Sequence, residues 1–135
     1  MYQHHMQLTS AFQTPTGARV NLPTELSWNP LDPFAVAVTF DVDQARGDQR
    51  SWVVCRQLLL AGLTAEHWVG DGDVRATRIT DEEVAVELDN DEREALLFLP
   101  APELSRFLAS TIATTPLGDE QMADEVLFGR VAVGE

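Results

Sequence analysis

The sequence predicts an α+β fold built on a mainly antiparallel sheet, and three observations carry that reading. Apolar and polar residues alternate over several short stretches, the period of half-buried strands. A helical rhythm appears briefly inside the run of strands and again towards the C-terminus. The strand–helix–strand rhythm of a doubly wound nucleotide fold is missing.

Taken in order, Met6 to Gln13 alternate loosely, with Met6, Leu8 and Phe12 on one side, which predicts a first strand. Pro15-Thr16-Gly17 is a turn, Arg19 to Leu22 a second strand, and Leu26 with Trp28 resumes after the break at Pro23. From Phe34 the alternation is clean. Phe34, Val36, Val38, Phe40 and Val42 share one face, and Ala35, Ala37, Thr39 and Asp41 the other. Side chains that small predict close approach of another layer. Asp43 to Asp48 makes a hairpin loop.

Ser51 to Cys55 is apolar on both faces, and Arg56 to Leu63 then switches to a helical rhythm. Gly62 stands where a left-handed residue ends a helix, with Leu63 as the hydrophobe that follows it. Asp73 to Ile79 is the next strand, entered through Gly70-Asp71-Gly72. Val84, Val86 and Leu88 alternate with Glu83, Ala85 and Glu87, and Ala95 to Leu99 is again apolar on both faces. Proline near the first helical position opens a helix at Pro100, with Leu104, Phe107, Leu108 and Thr111 or Ile112 as its buried stripe and Thr114-Thr115-Pro116 as its end. A second, acidic helix is expected from about Asp119 to Phe128.

The length suits one domain, residues 1–135, with 1–6 and 130–135 expected to be loosely ordered. Net charge is −13 and every basic residue is arginine. Such a surface repels phosphate backbones and anionic lipid and suits docking onto basic protein patches. Cys55 is the only cysteine, so an internal disulfide is impossible, in keeping with a reducing cytoplasm. MYQHHMQ lacks the basic region and apolar run of a secretory signal, and no apolar stretch approaches the roughly 20 residues of a membrane span.

The residues that suggest chemistry mostly read better as structure. Gly70 to Arg75 is glycine-rich, but Arg75 stands where a dinucleotide loop needs its third glycine, and the segment leads into a strand. Asp89 to Glu94 has Glu94 where a calcium loop needs glycine, and both this segment and Asp81-Glu82-Glu83 read as solvated turns. His4, His5 and His67 have no further ligand at metal spacing. His4 and His5 lie at the chain end, leaving only His67 for a Ser-His-Asp arrangement. Cys55 reads as an inert buried thiol. Trp28, Trp52 and Trp68 read as core or interface rather than as base-stacking platforms, because nine arginines stand among 22 acids. The two doubly apolar strands predict a homo-oligomer, since one sheet with helices on one side buries only one face. A sheet curling closed within one chain is the alternative.

Three elements in order carry a resemblance: the strand opened by Asp32-Pro33-Phe34, the strand of Trp52 that turns into a short helix ending in Gly62-Leu63, and the strand opened by Gly72-Asp73-Val74-Arg75. Together they resemble the signature of the SsgA-like sporulation and cell-division family of actinobacteria, with the SsgB subtype nearest. Residues up to Gln7 and the C-terminal tail match less well. The resemblance implies that the signature positions are structural, and that the chain has no enzymatic activity and no cofactor. It implies a curved antiparallel sheet similar in topology to the Whirly-type single-stranded nucleic-acid binders, assembled as a trimer. The implied role is cytoplasmic, at the division septum, helping to place the tubulin-like division GTPase FtsZ together with other SsgA-like proteins. The Whirly analogy keeps a nucleic-acid-binding module as the alternative, and a hydrolase comes third.

Overall fold

The computed structural model describes residues 4–14, 16–43, 48–70, 72–89 and 94–118, with only the backbone described at 42, 43 and 48. Seven strands form one sheet: β1 (His4–Gln13), β2 (Arg19–Asn29), β3 (Asp32–Asp43), β4 (Asp48–Cys55), β5 (Val74–Arg78), β6 (Glu83–Asp89) and β7 (Glu94–Pro100). Helix α1 (Arg56–Gly62) follows β4 directly, and α2 (Ala101–Thr114) follows β7 directly. The spatial order is β4-β3-β2-β1-β7-β6-β5, and every neighbouring pair is antiparallel. The sheet is two meanders, β1–β4 and β5–β7, joined where Ala11, Phe12 and Gln13 pair with Phe98, Leu97 and Leu96.

The sheet curls around the two helices. Helix α1 touches β3 and β4 at one end of the strand order and β5 at the other. The core fills this concave side. Leu26, Val36 and Val38 come from the first meander, Val84, Leu97 and Leu99 from the second, and Leu59, Leu104 and Leu108 from the helices. The predicted stripe of α2 is borne out, with Leu104, Phe107, Leu108 and Thr111 all buried. Burying such side chains is the main force holding helices to sheet, about 1.5–3 kcal/mol each.

Four expectations change. The second strand is not broken at Pro23. Pro23 pairs with Thr9 of β1, while the ladder with β3 begins one residue later, at Thr24 and Phe40. The imino nitrogen therefore sits where β2 has no second neighbour, the place a sheet tolerates proline.

Gly62 is the last residue of α1 and does not carry the left-handed conformation. Leu63 follows with φ −62° and ψ −24°, so the helix end stays right-handed. The Leu63 N–H donates to the Leu59 and Leu60 carbonyls at 3.2 Å, and Arg78 Nη1 donates to the Leu63 carbonyl at 2.6 Å. Glycine is required at 62 for room: a Cβ there would lie 2.7 Å from Cβ of Ala76 in β5. Positive φ belongs to Gly70 (112°) and Gly72 (72°), flanking the turn into β5.

Phe34 does not follow Val36, Val38 and Phe40 inward; it is 49% exposed near the start of β3. The small side chains of Ala35, Ala37 and Thr39 lie on the convex side, half-buried, with no described helix over them. The acidic helix expected from Asp119 to Phe128 lies outside the described residues.

Candidate functional site

The two ends of the sheet are built differently. Outside β5, Val69 and Ala76 exchange hydrogen bonds at 2.9 Å each, and the Arg78 N–H donates to the Ala65 carbonyl at 3.0 Å. The segment after α1 thus occupies the free edge of β5. Among the described residues no strand or backbone segment pairs with the outer side of β4.

Beside that edge lies a groove of about 560 Å³ lined by Cys55, Leu58, Gly70, Gly72, Asp73 and Val74. Leu58 of α1 and Val74 of β5 give it an apolar floor. Gly70 closes in tightly: a Cβ there would meet the Val74 carbonyl oxygen at 2.6 Å and Leu58 Cδ1 at 2.9 Å. Cys55 is exposed, contrary to the buried thiol expected, because it ends an edge strand with its side chain on the convex side. Val53, two residues back on the same face, is 66% exposed. Trp68, 40% exposed, stands over the Arg75 guanidinium at 5.2 Å. Arg75 also pairs with Glu87 across the β5–β6 ladder, its Nε donating at 2.9 Å.

The signature residues divide by task. Gly72, Asp73 and Val74 line the groove. Gly62 and Leu63 fit α1 to β5. Pro33 is buried, and its carbonyl accepts the Trp28 Nε1–H at 3.0 Å. Asp32 is exposed where β3 begins, and Trp52 packs half-buried against the core. The groove thus gathers three of these residues, while Asp32 and Phe34 stand exposed at the start of β3.

Sequence reasoning missed Arg56, which is fully buried as the first residue of α1. Its Nη1 donates to Thr111 Oγ1 at 3.3 Å, and its guanidinium lies 5.5 Å from the Trp28 ring. A positive charge towards the carbonyl end of α2 is favourable there. Arg78 donates to the carbonyls of Leu63, Thr80 and Asp81 and lies 3.6 Å from the Asp81 carboxylate three residues on.

His4 and His5 are the first residues of β1 rather than a separate end. His4 Nδ1 and Nε2 lie 3.1 Å from the hydroxyls of Ser110 and Thr114 on α2, and its ring meets Trp28 edge-on at 5.0 Å. Burial, reinforced by the neighbouring His5, lowers the His4 imidazole below its ordinary value. A second groove of about 300 Å³ is rimmed by Glu87, Asp89 and Glu94. Among the described residues no three His, Cys, Asp or Glu side chains gather in a way that could hold a metal ion, and no helix is long and apolar enough to cross a membrane.

A curled antiparallel sheet around two helices defines a small α+β protein. The comparisons with known proteins are narrower. The family described as Streptomyces sporulation and cell division protein, SsgA, matches residues 22–120, and the chain belongs to that family. It is 36% identical over 110 residues to the sporulation-specific cell division protein SsgB of Salinispora tropica, covering 78% of this chain and 75% of the relative. It is 36% identical over 100 residues to SsgB of Streptomyces coelicolor, covering 73% and 72%. A solved structure from work on SsgB mutations that correlate with longitudinal division in sporulating S. coelicolor superposes with a TM-score of 0.79, at 31% identity over 90% of this chain and 95% of that one. The SsgA-like sporulation-specific cell division protein of Thermobifida fusca superposes with a TM-score of 0.84, at 25% identity over 96% and 94%.

Proposed function

We propose that this chain is a non-enzymatic protein of sporulation-linked cell division that helps recruit and position the FtsZ division machinery at septum sites. The supporting observation is its membership of the SsgA family over residues 22–120, with SsgB proteins among its relatives. The structure is compatible in kind, since the described residues leave a strand edge without a paired strand and several large apolar side chains exposed. In this reading the chain is one domain, works in the cytoplasm at the septum, and acts through contacts with itself, most simply as a trimer, and with division proteins. The signature residues serve the frame and the groove rather than a reaction.

The experiment is a chromosomal fluorescent fusion in an actinobacterial host that carries this chain, with co-purification of the division GTPase from the same cells. Foci that precede FtsZ rings at future septa, together with recovery of FtsZ, are the expected result. Diffuse fluorescence through septation with no FtsZ recovered overturns the reading. Light scattering tests the trimer separately: about three chain masses at micromolar concentration is expected, and a mass of one 14.9 kDa chain overturns it.

A further inference from the structure

We propose that the outer edge of β4 at residues 51–55, with which no described strand pairs, is together with the groove beside it a docking site for an extended, basic–apolar segment of a partner protein, which adds to the sheet as a strand. This rests on reading the chain as a recruiter and names the kind of segment it would hold.

The backbone sets the shape of the occupant. An edge strand presents N–H and C=O groups that an incoming extended chain satisfies, which is why proteins usually cover or blunt their edges. Here the protection is one-sided. The β5 edge is covered by hydrogen bonds from Ala65 and Val69, while the described residues leave the outer side of β4 without a paired strand. Past Arg50, the end of β4 from Ser51 to Cys55 holds neither proline nor a charged residue, and Val53 is largely exposed.

The groove sets the side chains. Successive residues of a strand point to opposite faces, so alternate side chains of a guest strand would meet Leu58 and Val74 on the groove floor. Those positions call for apolar residues. Asp73 stands exposed on the groove wall, and the chain as a whole carries a charge of −13. Both favour arginine or lysine at the intervening positions. Beside the exposed Asp73, a basic segment is favoured at this edge over a second copy carrying the same net charge of −13.

The test uses the purified full chain and a probe peptide of nine residues, alternating arginine and valine, with both ends blocked. A control peptide of the same sequence is N-methylated at alternate valines, which keeps charge and apolarity but removes backbone donors. Amide shifts and slowed hydrogen exchange confined to residues 51–55 and 72–74 are expected, with the control weaker by about tenfold or more. Val53→Lys should weaken the probe by a similar factor without lowering the thermal midpoint, and Asp73→Asn should weaken it about threefold and flatten its salt dependence. Equal binding of the N-methylated peptide overturns the proposal by reducing the contact to charge. Perturbations centred on another face overturn it, and so does self-association that Val53→Lys abolishes, which would make a second copy the occupant. The readout is made on purified protein, so it is independent of septal localisation, which tests the preceding reading alone.

Discussion

Strands β7 and β4 look alike in the sequence, each apolar on both faces, yet the fold treats them oppositely. β7 lies between β1 and β6, and both its faces are covered from within the chain. Leu97 and Leu99 face the helices. On the convex side Phe98 is only 8% exposed, because Ala11 and Ala85 flank it and the Arg19 guanidinium lies 3.7 Å from its ring centre. β4 has one neighbour, so Val54 is buried while Val53 and Cys55 look outward. Double apolarity is thus a statement about neighbours. In a central strand the flanking strands meet it, and at an edge it is left for something outside the described chain. The expectation of an oligomer rested on both strands, and β7, covered from within the chain, no longer supports it.

The sharpest way to break this comparison is truncation of the outer residue in each strand. Phe98→Ala is expected to cost about 3 kcal/mol, and Val53→Ala no more than about 0.5 kcal/mol, by denaturant unfolding of the two variants side by side. Equal costs would mean that Val53 is buried in solution.

Gly62→Ala comes next. It should cost about 1–3 kcal/mol through collision with Ala76, and Ala76→Gly in the same chain should recover part of that. A helix end that needed left-handed backbone would show no such recovery. Arg19→Ala should cost about 1 kcal/mol, because it uncovers Phe98 and removes a half-exposed pair with Glu83 at 3.3 Å.

A smaller effect follows from His4. Its folded pKa lies below the unfolded value of about 6.5, so the unfolded chain binds the proton first as pH falls. The neutral-side stability is therefore present in full above about pH 6.5 and declines from there down to the lowered folded pKa. Unfolding midpoints between pH 7.5 and 5 measure the decline, and His4→Gln should remove that component. No effect is expected from a labelled thirty-mer of single-stranded DNA at about 150 mM salt, where anisotropy should stay flat. Submicromolar saturable binding with a steep salt slope would instead promote the nucleic-acid alternative.

Much of the sheet was legible in the sequence because side-chain alternation is a local property. Seven strands and both described helices lie close to where the periodicity puts them. The errors fall where a residue's role depends on a distant partner. Pro23 reads as a break unless its unpaired side is known. Gly62 reads as a cap unless Ala76 is seen beside it. His4 reads as part of a loose end, yet it meets Ser110 and Thr114, more than a hundred residues away. The groove was only half visible: Gly72, Asp73 and Val74 were marked as signature, but nothing local tied them to Cys55 and Leu58.

The junction of the two meanders has a consequence for how the chain folds. Apart from that junction, the ladders join strands consecutive in sequence, the contacts that form cheaply because little chain must be closed. Among the described ladders, only the rungs of Ala11, Phe12 and Gln13 with Phe98, Leu97 and Leu96 pair the beginning of the chain with its later part. The loop-closure entropy of the whole sheet is concentrated in those three rungs. Each meander can therefore take shape on its own timescale, and their docking is the step expected to set the folding rate. A weakened rung such as Phe12→Ala should slow refolding more than a substitution of equal cost within either meander.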